Sequence, residues 1–72
     1  MKIEYFPDTD SLYIELAQRE GVDAIEVGDG IIVDVDVDGH PVGIDIDQAS
    51  KHLDLRTLDL RSIPFEAQKV AG

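Results

Sequence analysis

The sequence predicts an α+β domain that is mainly β. We expect an antiparallel meander of four or five strands, followed by a short helix after the last strand and a C-terminal segment packed on the sheet or on a second subunit. Apolar residues alternate with polar ones in several short runs, and turn signals separate these runs. The periodicity fades only near the end of the chain. Residues 1–53 are therefore assigned to a β-meander domain, and residues 54–72 to a C-terminal extension that is not an independent domain.

The first two strands are predicted to form a hairpin around the loop 6–11, which contains proline, two aspartates and serine. Apolar side chains alternate with polar ones on both sides of this loop, and alternate residues of a strand point to the same face. A polar connection follows, and residues 24–27 then make a short third strand. The hairpin should turn these residues toward the core: Ile3, Tyr5, Leu12, Ile14 and Leu16.

The next two strands flank the turn signal Asp38-Gly39 and are predicted to form the hairpin 30–47. The alternation gives this hairpin one apolar side, with Ile31, Val33, Val35, Val37, Val42, Ile44 and Ile46. The other side is strongly negative. It is predicted to carry Asp34, Asp36, Asp45 and Asp47.

Residues 48–53 read as a helical turn, and the chain beyond them has no clear period. The tetrad Leu-Asp-Leu-Arg occurs at 53–56 and again at 58–61, but neither a strand nor a helix aligns all its leucines. A short apolar segment of this kind gains stability only by packing against something. An oligomer interface would then be formed by Leu55, Leu58, Leu60, Ile63 and Phe65.

The formal charge of −10 is unevenly distributed along the chain. Residues 1–50 hold 13 acidic and 2 basic side chains, a balance of −11, whereas residues 51–72 have a balance of +1. Clustered lysine and arginine side chains are needed to bind phosphates, so the body is not expected to bind nucleic acid directly. A basic protein partner is the natural complement. The alternative is that the acidity only maintains solubility or reflects a salt-rich cytoplasm.

A chain of 72 residues can build only one small core, and without cysteine it cannot form a disulfide. Formation of a homo-oligomer, most simply a dimer, would bury more surface. The first residues contain neither the basic nor the apolar region of a signal peptide, and no apolar run is as long as a membrane span. We therefore expect a cytoplasmic protein with no membrane segment.

The residue pattern offers no catalytic site, and neither a cofactor nor a metal ligand is assigned. Residues 34–39 resemble the start of an EF-hand calcium loop, but strands rather than helices flank them and Pro41 interrupts the second half. Tyr13 is the aromatic residue expected off the core face. It would either contact a partner or be covered by the C-terminal segment.

Part of the chain resembles a family of small bacterial proteins, the domain-of-unknown-function family twenty-two eighty-three. The resemblance covers residues 1 to 53. Two positions depart from the family pattern, because Phe6 stands at a usual aspartate and Asp45 at a usual glutamate. The pattern is carried by Tyr5, Asp10-Ser-Leu-Tyr-Ile14, Gly30-Ile-Ile-Val-Asp34, Asp36, Asp38-Gly39, Val42-Gly43-Ile44-Asp45-Ile46 and Ala49-Ser50.

The resemblance implies a compact β-meander with a short helix and no established activity, and it supplies no catalytic residue. Some members look like the antitoxin half of toxin-antitoxin pairs. Together with the charge pattern, this favours a non-enzymatic interaction module that binds a basic protein, such as a small toxin. A structural or ligand-binding homo-oligomer with no dedicated protein partner is the alternative. The residues assigned to partner binding are Asp34, Asp36, Asp45, Asp47 and Tyr13.

Overall fold

Five strands and one short helix make up the computed structural model, which describes residues 1–64. The strands are antiparallel and form one open sheet, so the predicted fold class is confirmed. In the part of the chain described, no helix has the length and apolar character needed to cross a membrane. The elements are β1 (Lys2–Phe6), β2 (Ser11–Glu15), β3 (Asp23–Gly28), β4 (Ile31–Val35), β5 (Pro41–Ile46) and α1 (Ala49–His52).

The order of the strands across the sheet is β1-β2-β5-β4-β3, which differs from the simple meander that the sequence predicts. Strand β2 pairs with β5 instead of β3. The connection between β2 and β3 follows the end of the β4–β5 hairpin. The amides of Leu16 and Ala17 donate to the Val42 carbonyl at 2.9 and 3.3 Å, and the Val22 amide donates to the Val35 carbonyl at 2.8 Å. The connection thereby places β3 beside β4, on the side of β4 opposite β5.

One face of the sheet is apolar, and two rows of side chains cross it. The first row, hereafter the apolar row, has one residue from every strand in the spatial order Ile3, Ile14, Ile44, Val33 and Ile25. Helix α1 covers the second row, where Ala49 is fully buried against Leu12 and Ile46. The core therefore lies under α1, beside the apolar row.

The tip of the β4–β5 hairpin departs from the predicted alternation. The side chain of Val37 lies in the turn and is 82% exposed, so its predicted place on the apolar face is wrong. Gly39 in the same turn has a φ of 82°, a left-handed conformation that glycine adopts without strain. The turn at Asp38-Gly39 is thus confirmed, and the strand ends earlier than its sequence pattern indicates.

A β-bulge in β5 moves one apolar side chain to the opposite face. Gly43 and Pro41 both pair with β4, which leaves Val42 between them as an extra residue. A Cβ atom placed on Gly21 would lie 3.5 Å from both Val42 and Asp34, so Val42 shares the face of Asp34. The predicted place of Val42 on the apolar side is wrong for this reason.

The C-terminal segment is not buried against the sheet over the residues that the structure describes. Every residue from Ser50 to Pro64 is exposed, including Leu55, Leu58 and Ile63. Packing of this segment on a second subunit stays a prediction. Phe65, which the sequence assigns to the same interface, lies outside the described residues.

Candidate functional site

The face of the sheet opposite α1 carries carboxylates on every strand. Two rows of paired residues cross this face, one containing Tyr13 and Asp45 and the other containing Gly43 and Asp34. Lys2 adds one basic side chain, 3.4 Å from Glu4. The acidic face is defined here by five residues that the strand pairing places on these two rows: Glu4, Glu15, Glu26, Asp34 and Asp45.

The centre of the acidic face is a pair of carboxyl groups, Asp34 and Asp45. Burial raises the pKa of Asp45, and a hydrogen bond with the carboxyl of Asp34 and its negative charge raise it further. The negative charge of Asp34 therefore makes ionisation of Asp45 less favourable. At neutral pH the pair is therefore a site of unfavourable negative charge, which a cationic group would relieve.

Tyr13 lies beside this pair and is half-buried. It is directly opposite Asp45 across the β2–β5 ladder, and its ring lies over the backbone of Gly43, where a side chain would otherwise stand. Burial is the main cause of its raised pKa, and the charges of Asp34 and Asp45 add to it. The hydroxyl accordingly stays protonated and can donate a hydrogen bond. The prediction that Tyr13 lies off the core face is confirmed.

An open cleft of about 580 Å³ continues from the acidic face to the β2–β3 connection. Arg19 lines this cleft, and its guanidinium donates to Asp36 at 2.8 Å and to the Pro41 carbonyl at 3.3 Å. No role for Arg19 follows from the sequence pattern, although it is the one lysine or arginine between Lys2 and Lys51. The cleft is lined by Tyr13, Arg19, Gly21, Val22, Asp23, Ala24, Asp34 and Val42.

Asp36 is not part of the acidic face, contrary to its predicted place there. Its side chain is buried in the β4–β5 turn, where it accepts hydrogen bonds from the amides of Asp38 and His40, each at 2.9 Å, and from Arg19 Nε at 2.8 Å. The His40 amide is the largest cause of its lowered pKa, and Asp38 and Arg19 lower it further. Asp36 thus fixes the turn and ties the β2–β3 connection to it.

Asp47 lies past the end of β5 and is exposed. Its amide donates to the Gly30 carbonyl at 2.8 Å, and its carboxylate accepts from the Gln48 amide at 3.0 Å. Of the four aspartates that the sequence assigns to partner binding, the structure brings only Asp34 and Asp45 together.

A second polar cluster, hereafter the Asp10 lock, joins the first hairpin to α1. The Asp10 carboxylate accepts hydrogen bonds from the Tyr5 hydroxyl at 2.7 Å, from the Ser50 hydroxyl at 2.6 Å and from the Ser50 amide at 3.2 Å. Its backbone carbonyl accepts from the Ala49 amide at 2.8 Å. Bonds from Ser50 and then Tyr5 lower the pKa of Asp10. An acceptor 40 residues away in sequence therefore satisfies the start of this helix.

Comparison with known families finds a match to the part of the chain that contains the sheet and the Asp10 lock. The model of the family described as "Protein of unknown function (DUF2283)" matches residues 2–50. The chain belongs to the DUF2283 family. No curated protein and no solved structure shows a match to it. The match to DUF2283 ends at Ser50, so it includes the whole acidic face and the whole Asp10 lock, and it leaves out residues 51–72.

A glycine substitution tests the geometry of the acidic face in this DUF2283 domain. A Cβ atom on Gly43 would lie 2.9 Å from two carbon atoms of the Tyr13 ring and closer still to its hydroxyl oxygen, so the ring must move. We expect Gly43→Ala to destabilise the protein by about 1–3 kcal/mol in urea denaturation, the usual cost of overpacking.

Gly28→Ala is the matched control, because a Cβ atom there would meet its nearest neighbour at an ordinary 3.5 Å. Combining Gly43→Ala with Tyr13→Ala should cost less than the sum of the two single changes, since the clash disappears with the ring. Equal stabilities of Gly43→Ala and Gly28→Ala would show that Tyr13 does not lie over Gly43.

Proposed function

We propose that this DUF2283 protein is a non-enzymatic interaction module whose acidic face binds a basic protein. The observation that carries the proposal is the carboxyl pair of Asp34 and Asp45, which holds unfavourable negative charge at the centre of a face with five carboxylates. A lysine or arginine from a partner would remove this repulsion. Binding of a cation would favour the ionised form of Asp45, so affinity should rise with pH through the raised pKa of Asp45.

The surroundings of the pair supply what a protein interface needs besides charge. The Tyr13 ring offers apolar contact area and its hydroxyl a donor, and tyrosine is enriched at such interfaces. Charges around the pair would steer a basic partner toward the face and accelerate association, an effect that salt screens. Such a complex should therefore form fastest at low ionic strength.

An antitoxin role is the most specific form of this proposal. The basic partner would then be a small toxin encoded beside this protein, and its basic surface would be covered by the acidic face. Co-expression should relieve the growth defect that the neighbouring gene product causes on its own. Continued toxicity would count against the antitoxin role. The broader proposal of an interaction module is tested separately, by the binding experiment below.

The binding experiment captures the tagged protein from its native host at low and at high salt and identifies retained proteins by mass spectrometry. The captured basic protein is then purified, and its affinity is measured by calorimetry. The test variant carries Asp34→Asn and Asp45→Asn. The control variant carries Asp8→Asn and Asp29→Asn, which remove the same amount of charge from exposed loop positions outside the acidic face.

We expect a basic protein to be retained at low salt and released at high salt, and its affinity to fall about tenfold or more in the test variant. The control variant should lose much less. Equal losses in the two variants would mean that only net charge attracts the partner, and the acidic face would then not be the binding site.

A further inference from the structure

The apolar row is only partly covered in the described part of the chain. Helix α1 packs on Leu12 and Ile46 of the neighbouring row, and Ile14 and Ile44 of the apolar row pack against this cluster. The two ends of the apolar row, Ile3 and Ile25, are 47% and 49% exposed. The three residues between them are only half-buried. A continuous apolar strip that crosses all five strands is the kind of surface that a soluble domain normally covers with another element or another chain.

The same chain carries an exposed segment with complementary properties. Between residues 53 and 63 the apolar side chains are all exposed, Leu58 to 71% and Leu60 to 55%. The charges of this segment are paired locally, Asp54 with Arg56 at 3.1 Å and Asp59 with Arg61 at 2.9 Å. The segment is therefore apolar on its leucines and electrically neutral as a whole.

The charge distribution favours this segment over other parts of the molecule as the cover of the apolar row in a second copy. Residues 1–50 carry a balance of −11, so two copies of the sheet repel each other when they approach directly. The neutral segment can approach an acidic body without that penalty. It leaves α1 at Leu53 with an extended backbone, φ −129° and ψ 152°, and its residues stay exposed as far as the structure describes them.

We propose that two copies form a reciprocal dimer in which residues 53–63 of each copy lie across the apolar row of the other. Such an arrangement is closed and twofold symmetric, because each copy gives one segment and receives one. It makes the same contact twice and so doubles the apolar area buried by one segment, which suits a chain too small to build a large core alone. The dimer uses the face opposite the acidic face, and it does not depend on the proposed binding of a basic protein.

The test is the mass of the full chain in solution, measured by sedimentation equilibrium from micromolar to millimolar concentration. One variant carries Leu58→Ser and Leu60→Ser in the segment, and a second carries Ile25→Thr in the apolar row. Val37→Ser is the matched control, because Val37 is equally apolar and 82% exposed but lies in the β4–β5 turn. None of these changes alters the net charge, and circular dichroism confirms that each variant is folded.

We expect the wild-type protein to be a dimer and the segment variant to dissociate about tenfold or more readily, as lost burial of two leucines requires. Ile25→Thr should weaken the dimer too, whereas Val37→Ser and the variant with Asp34→Asn and Asp45→Asn should not. A wild-type monomer at all concentrations would overturn the proposal. So would a segment variant that dimerises like wild type, or a dimer that Ile25→Thr leaves unchanged.

Discussion

Replacing Asp10 by alanine should lower the melting temperature by several degrees, because one carboxylate holds both Tyr5 and the start of α1. The side chain accepts bonds from the Tyr5 hydroxyl and from the hydroxyl and amide of Ser50. Without it, these donors lose their partner, and the start of α1 keeps the backbone carbonyl at position 10 as an acceptor but loses the carboxylate. Because α1 is the element that buries Leu12, loosening the helix also exposes the core.

The changes Tyr5→Phe and Ser50→Ala, followed by thermal unfolding, separate the parts of this effect. Each removes one hydroxyl and should lower the melting temperature less than Asp10→Ala. Asp8→Ala is the control, since it removes the same type of charge from an exposed position in the same loop. If Asp8→Ala and Asp10→Ala gave the same melting temperature, the lock would contribute nothing beyond net charge.

The face on which a strand residue lies could be predicted from the sequence wherever the pleat is regular. Alternation alone placed Tyr13, Asp34 and Asp45 on one face, and the register confirms it. The short helix after β5 was predicted because the strand pattern stops before Ala49, and α1 begins there. These features are local, so neighbouring residues carry the information.

Alternation failed at the hairpin tip for two reasons, because β4 already ends at Val35 and because a bulge in β5 adds one residue. Val42 moves to the face of Asp34, and Asp36 turns inward to bind backbone amides. An Asp-x-Asp-Gly sequence reads equally well as the end of a strand or as a turn in which the first aspartate accepts backbone bonds. The periodicity cannot distinguish these two cases.

The contacts between distant parts of the chain were the hardest to predict. The pairing of β2 with β5 depends on the path of the β2–β3 connection, and the bond from Arg19 to Asp36 closes it over a separation of 17 residues. The Asp10 lock spans 40 residues. Its three residues, Tyr5, Asp10 and Ser50, lie within the match to DUF2283, but their positions in the sequence do not indicate which groups they contact.

The carboxyl pair should make the protein most stable at mildly acidic pH, with stability falling as the pH rises toward neutrality. Asp45 has a raised pKa when folded, so the folded state binds its proton more tightly than the unfolded state does. Its contribution is fully present below the unfolded pKa and is lost as the pH rises through the folded pKa. Asp10 and Asp36 have lowered pKa values. Their contributions to stability are therefore present above the pKa of an unfolded aspartate and are lost as the pH falls through the lowered pKa values.

Asp45→Asn tests this assignment, because an amide cannot ionise and can donate a hydrogen bond to Asp34. We expect its melting temperature to exceed that of wild type near pH 7 and the advantage to shrink as the pH falls through the raised pKa of Asp45, where the wild-type carboxyl regains its proton. Asp29→Asn removes one exposed charge and controls for the repulsion of a chain with net charge −10. Two variants with the same gain at neutral pH would show that general repulsion alone sets the pH dependence. A larger rise in melting temperature for Asp45→Asn would place the unfavourable negative charge at the centre of the acidic face, where a basic partner would neutralise it.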